Sequence, residues 1–160
     1  MASEVTLRPA EPGDADSLAR LSRRAFESDH ALGGPGSGGP PGYDDPAWQR
    51  RMMRAGDYWC VLAAGALVGG AIVFDAGEDG RELARVFVDP ERLGEGIGGE
   101  AVRLVMARYP GTPRWMLDTP SWNPRTRAFY EGLGFTRYGS ITLDGGLELD
   151  LYEKRADGLF

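Results

Sequence analysis

The stretch "VDPERLGEGIGGEA", residues 88–101, decides how the rest of the chain is read. A β-forming run leads into it and a helix-forming run, "GIGGEAVRLVMARY", leads out of it. Glycines stand at 94, 96, 98 and 99, where the backbone can turn tightly and approach a ligand without a Cβ in the way. A loop of this kind opening a helix offers unpaired N–H groups and the positive end of the helix dipole to an anion. Phosphate is the natural occupant, and the surrounding sequence must say whose phosphate it is.

Gly94, Gly96 and Gly99 satisfy the dinucleotide fingerprint G-x-G-x-x-G, and Asp118 follows about twenty positions later, as that motif requires. The context fails. A dinucleotide site runs its strand almost directly into the first glycine, whereas residues 89–93 intervene here. A Rossmann unit would begin near residue 82 and leave fewer than eighty residues for its completion.

Outward from the loop, "SEVTLRPA" reads as a first strand and "GDADSLARLSRRAFES" as a helix, with Asp14 as N-cap and Leu18, Leu21 and Ala25 on one face. Residues 33–42, "GGPGSGGPPG", contain only Gly, Pro and Ser and predict a loop between two helices. "DPAWQRRMMRAGD" is the second helix. "YWCVLAAG" and "ALVGGAIVFDAG" form a hairpin, and "RELARVFVD" is the strand before the glycine loop. The following helix carries Ile97, Ala101, Leu104 and Val105 on one face and stops at Pro110. Then come the strand "PRWMLDT", a short helix in "NPRTRAFYEGLGF" capped by Asn123 with Pro124 at its first position, and a closing hairpin of "RYGSITLD" and "LELDLYEKR". The order β-α-α-β-β-β-α-β-α-β-β, with adjacent hairpins, predicts a mixed α+β fold rather than a doubly wound one.

Two of these segments together resemble the GNAT N-acetyltransferase superfamily. "VDPERLGEGIG" is similar to its cofactor motif, V-x-P-x-x-[QR]-G-x-G-[IL]-[GA]. "NPRTRAFYEGLGF" is similar to its second motif, N-x-x-A-x-x-[FY]-Y-x-x-x-G-F, and begins twenty-nine residues after Gly94 with a helix and a strand between. The resemblance covers nearly the full chain. It implies a single domain over residues 1–160, built on a mixed, mostly antiparallel sheet of about seven strands with helices on both faces. It also implies acetyl-coenzyme A as acetyl donor and a primary amine as acceptor: a small molecule, a peptide N-terminus or a lysine. The alternative is a non-catalytic coenzyme A-binding or regulatory module of the same fold.

The resemblance also assigns residues. Gly94, Glu95, Gly96, Ile97, Gly98 and Gly99 would hold the pyrophosphate, and Phe87 and Val88 would pair their backbone with the pantetheine arm as an added strand. Asn123 would cap its helix and touch the cofactor. Tyr130 is implied as general acid, and Glu82, opening the strand to the loop, is the candidate base. Asp118 and Thr119 would line the acceptor site, and a backbone N–H near Phe87 or Val88 would serve the oxyanion. Leu93 and Glu95 depart from the family pattern, and a carboxylate at 95 opposes phosphate unless Arg92, Arg125 or Arg127 offsets it.

Composition narrows the remainder. The 160 residues carry 18 basic and 24 acidic side chains, a net charge of −6 that argues against broad nucleic-acid binding. The single cysteine, Cys60, permits no internal disulfide and reads as a small buried hydrophobe. No His, Cys, Asp or Glu grouping has metal-ligand spacing, so no metal is expected. The N-terminus lacks a signal-peptide pattern, and the longest uncharged run, residues 59–74, is too short and glycine-interrupted to span a bilayer. A cytoplasmic protein without a membrane partner is expected, and a homodimer is left open.

Overall fold

The computed structural model describes residues 4–31, 34 and 39–156, so that residues 33 and 35–38 of the Gly/Pro loop lie outside the described residues. One seven-stranded sheet has the order β1-β2-β3-β4-β5-β7-β6. Its strands are β1 (Val5–Pro9), β2 (Asp57–Ala63), β3 (Ala66–Asp75), β4 (Arg81–Val88), β5 (Arg114–Pro120), β6 (Thr136–Thr142) and β7 (Glu148–Arg155). Every neighbouring pair is antiparallel except β4 and β5, which run parallel. The expected mixed, mostly antiparallel sheet is what forms. The β2–β3 turn places Ala64 and Gly65 at positive φ, as a two-residue hairpin turn demands.

Helices α1 (Ala15–His30) and α2 (Pro46–Ala55) cover one face, and α3 (Ile97–Ala107) and α4 (Pro124–Gly132) cover the other. On the α1/α2 face Leu18 and Leu21 pack against Tyr58, Cys60, Ile72 and Phe87. On the α3/α4 face Ile97, Ala101, Val102 and Val105 pack against Val61, Val73, Leu83 and Leu117. Cys60 is fully buried, as expected, and burial pushes its thiol up to about 12. The predicted cap residue Asp14 does stand at the start of α1, but its carboxylate makes no cap bond. It is drawn instead to the Arg8 guanidinium, at 2.8 and 2.9 Å, and to the Glu11 N–H, closing a short 3₁₀ turn ahead of the helix. No described helix is long and apolar enough to cross a membrane.

Two irregularities shape the centre of the sheet. Ile72 pairs with Arg85 and Val73 with Leu83, so Ala84 is an extra residue in β4. After this bulge the alternation is reset, and both Ala84 and Arg85 turn to the α1/α2 face. The second irregularity lies between β4 and β5. They are bridged only at Arg81–Trp115 and Glu82–Met116 and then diverge. The gap opens at the carboxyl ends of two parallel strands, where open α/β sheets bind their ligands.

Candidate active site

The diverging strands leave one edge of β4 without a partner. Asp89 N–H bonds the Val68 carbonyl on β3 at 2.7 Å. Alternation along the strand then turns the Phe87 backbone to β3 as well, and turns the N–H and C=O groups of Val86 and Val88 into the gap. The two residues expected to add a strand are therefore divided. Val88 presents backbone, whereas Phe87 presents its side chain. That ring is set deep by Gly70, where a Cβ would stand 2.6 Å from it.

Beyond β4 the chain makes a short turn at Pro90–Arg92, anchored by the Asp89 carboxylate, and enters the glycine loop. Gly94 and Gly96 take φ of +87° and +77°, and a Cβ at either would meet nothing within 4 Å among the described residues beyond its chain neighbours. These glycines answer to conformation, and the space above them is open. Gly98 is there for contact, since its Cβ would come 3.2 Å from Phe129. Gly96 caps α3 without a side chain, so the first N–H groups of α3 have no acceptor in the helix. A cleft of about 550 Å³ lies over these groups. Its walls include Phe87, Val88, Gly94, Gly96, Ile97, Gly98 and Gly99 of the expected residues, together with Phe26, Asp29, Leu93, Arg125 and Phe129.

Glu95 is not on the cleft wall. Arg92 holds it in a fork of 2.8 and 2.9 Å and draws its carboxyl below the usual range. The carboxylate that looked adverse to phosphate is thus neutralised, and the nearest arginine is committed to it. Asn123 is also behind the wall. It is buried, and its side-chain oxygen accepts from the Arg125 and Thr126 N–H groups as the cap of α4.

Tyr130 is buried on α4 and wedged edge-on between Phe129 and Phe135, with centroids at 4.9 and 5.7 Å. Among the described residues its hydroxyl has no hydrogen-bond partner. Burial first, and then the charges of Asp29 and Asp118, raise its pKa, so the phenol keeps its proton throughout the neutral range. Glu82 lies opposite Phe74 and shares its face of the sheet; Asp118, next to the inward Leu117, projects to that same α1/α2 face. Burial and the neighbouring Asp118 charge push the Glu82 carboxyl up. The Asp118 carboxyl is raised too, by crowding that Arg85 partly opposes. Thr119 is buried, its hydroxyl 2.6 Å from that of Thr126.

Sequence reading did not single out Arg85. Its guanidinium lies 4.2 Å over the Trp48 ring, and one terminal nitrogen donates to the Pro41 carbonyl at 2.6 Å. Burial depresses its pKa to about 10, opposed by Tyr58 and Asp118. The available signal was a lone charge within "LARVFV", although its facing depends on the Ala84 bulge. The same side of the gap holds Trp122, packed edge-on against His30, and Tyr43 against Phe26. Trp59 lies on the other face, donating to the Tyr109 hydroxyl.

The acetyltransferase (GNAT) family model matches residues 17–135, about three-quarters of the chain, and runs from within α1 past the end of α4. The chain belongs to the GNAT acetyltransferase family. Its fold recurs in solved members at low identity. An acetyltransferase from Thermus thermophilus superposes with a TM-score of 0.76 at 18% identity, over 97% of this chain and 99% of that one. The PaiA N-acetyltransferase of Thermoplasma acidophilum, solved in complex with coenzyme A, gives 0.73 at 18% identity over 96% and 99%. YncA of Salmonella typhimurium, solved with its cofactor acetyl-CoA, gives 0.64 at 20% identity over 99% and 97%. Among curated sequences, the uncharacterized protein YrkN of Bacillus subtilis (strain 168) is 35% identical over 71 residues, covering 44% of this chain and 38% of YrkN.

Proposed function

We propose that the protein is an acetyl-coenzyme A-dependent N-acetyltransferase whose acceptor is a primary amine. The observation that carries this reading is the continuity of the site: the unpaired β4 edge at Val86 and Val88 runs directly into the amide cradle of residues 94–99. The cradle fits a pyrophosphate. Its glycines leave the space above Gly94 and Gly96 clear, and its N–H groups lack partners of their own. Val88 backbone would hold the pantetheine arm, Phe87 and Phe129 would flank it, and Ile97, Gly98 and Gly99 would meet the phosphates. Asn123 acts on the cofactor only through the α4 cap, and Glu95 only through Arg92.

Bound acetyl-coenzyme A supplies the acetyl group and a thiol leaving group. The chain supplies the rest. The Val88 N–H, held in the gap by the β3–β4 ladder, donates to a carbonyl oxygen as charge develops on it. The Glu82 carboxylate, made more basic by burial and by Asp118, takes a proton from the incoming ammonium, directly or through water. The Tyr130 hydroxyl holds its proton at Oη, ready for a sulfur of intrinsic pKa about 8.5. Desolvation weakens Tyr130 as an acid in water, but the mismatch shrinks against a thiolate formed in the same dry gap.

The test is release of free thiol from acetyl-coenzyme A over a panel of primary amines. Turnover with at least one amine class, abolished when the amine is omitted, supports the proposal. Coenzyme binding with no release across the panel would favour a non-catalytic binding module.

A further inference from the structure

On the acceptor side of the gap the chemistry is not uniformly acidic. Arg85 stands among Phe26, Trp48 and Tyr58, with Asp118 and Glu82 beyond it. No carboxylate lies within ion-pair distance of it among the described residues, although Asp14, Asp29 and Glu95 each hold an arginine of their own. The terminal edge of its guanidinium is only half used. One nitrogen donates to the Pro41 carbonyl, and the other, Nη1, is buried with no partner among the described residues. A buried charged donor left unmatched is costly, and the natural partner for that two-pronged edge is a carboxylate. The Pro41 carbonyl occupies the place of one carboxylate oxygen, and the bare Nη1 marks the place of the other. Pro41 lies in the described C-terminal part of the Gly/Pro loop. Gly42 sits under Trp48 at φ +77°, a position where no Cβ fits.

We propose that Arg85 recognises a carboxylate on the acceptor, so that the amine substrate is an amino acid or a peptide fragment bearing both groups. The inference rests on the acetyltransferase reading and deepens it. The carboxylate displaces the Pro41 carbonyl and forks onto the Nη1–Nη2 edge. The amine is then turned towards Glu82 on the same strand and, across the gap, towards Asp118 and the Tyr130 hydroxyl. Trp48 holds the guanidinium plane by stacking and keeps the site dry. A plain amine leaves Nη1 unmatched, and an amino acid amide of the same shape offers one neutral oxygen where the fork needs two charged ones.

The experiment uses matched probes: free L-amino acids and dipeptides, which separate a single amino acid from a peptide end, each against its carboxamide and its decarboxylated amine. Two readouts run in parallel, thiol release from acetyl-coenzyme A and thermal shift with coenzyme A present and absent. In the wild type, carboxylate-bearing probes should exceed their amides at least tenfold in kcat/KM or stabilise the protein selectively. Arg85→Gln should erase that ratio, lowering the carboxylate arm while the amide arm moves less than twofold; a merely structural loss would lower both. Arg85→Lys keeps the charge without the fork and serves if the Gln variant folds poorly; it should retain only part of the ratio. Amides or plain amines preferred by the wild type, no carboxylate probe acting in either readout, or a ratio unchanged in both variants would each overturn the inference. Carboxylate stabilisation lost with Arg85, in a protein that binds no coenzyme, would uphold the Arg85 site and overturn the acetyltransferase reading instead.

Discussion

Gly96→Ala isolates the contribution of the cradle. Gly96 sits at φ +77°, ψ 9°, and an L-residue pays about 1–2 kcal/mol to be held there. Loss of glycine's freedom in the unfolded chain offsets roughly 0.4–1 kcal/mol of that. The Cβ meets nothing within 4 Å among the described residues beyond its chain neighbours, so no steric term is added. The net cost is about 1 kcal/mol, or a fall in Tm of about 2–4 °C for a chain of this size. Gly111→Ala is the matched control: its φ is +83°, its Cβ is equally unobstructed, and it lies outside the cleft. Both variants should lose similar Tm. Only Gly96→Ala places a methyl in the space assigned to the pyrophosphate, and it should weaken coenzyme A at least tenfold, about 1.4 kcal/mol, by calorimetric titration. Equal coenzyme affinity in the two variants would refute the cradle, whether both bind normally or both bind poorly.

Three further outcomes are expected. Tyr130→Phe removes a hydroxyl with no protein partner among the described residues, so Tm should hold while kcat falls at least tenfold and coenzyme affinity stays unchanged; an unchanged kcat would make Tyr130 a packing residue. Glu95→Gln releases Arg92 from its fork and should tighten coenzyme A by up to about fivefold at low salt, fading as ionic strength rises, which a titration at two salt concentrations reads directly. Glu82 is raised in the folded state, so the fold binds its proton more tightly than the unfolded chain does. Its stability contribution is present below the unfolded pKa and lost as pH rises through the folded one. Glu82→Gln should therefore raise Tm at neutral pH while lowering kcat/KM, and the wild-type acid limb should lie above the ordinary glutamate range. A limb at the ordinary value that survives the substitution would assign the base elsewhere.

The strands and helices were legible because their signals are local: Pro124 after Asn123, glycines at the turns, apolar periodicity in α3. The cradle was legible for the same reason, since positive φ at Gly94 and Gly96 is written into the residue type. What escaped was set by which partner each group meets once the chain is folded. Asp14 has the position of a cap, but Arg8 takes its carboxylate. The extra residue Ala84 appears only once β3 fixes the register, and without it "RELARVFV" does not put Arg85 on the face of Glu82 and Trp48. The division of labour between Phe87 and Val88 likewise follows from which edge of β4 is already paired. For Glu95 the sequence offered Arg92, Arg125 and Arg127 as partners, and the fold gives that part to Arg92.

The central claim is that the glycine cradle and the open β4 edge hold acetyl-coenzyme A. Thermal-shift titrations with acetyl-coenzyme A, coenzyme A and NAD in parallel test it most directly. A ligand at a hundredfold its Kd stabilises the native state by about 2.7 kcal/mol, a rise of roughly 5–10 °C here. Both coenzymes should produce that rise and NAD should not. Stabilisation by NAD alone would contradict the account.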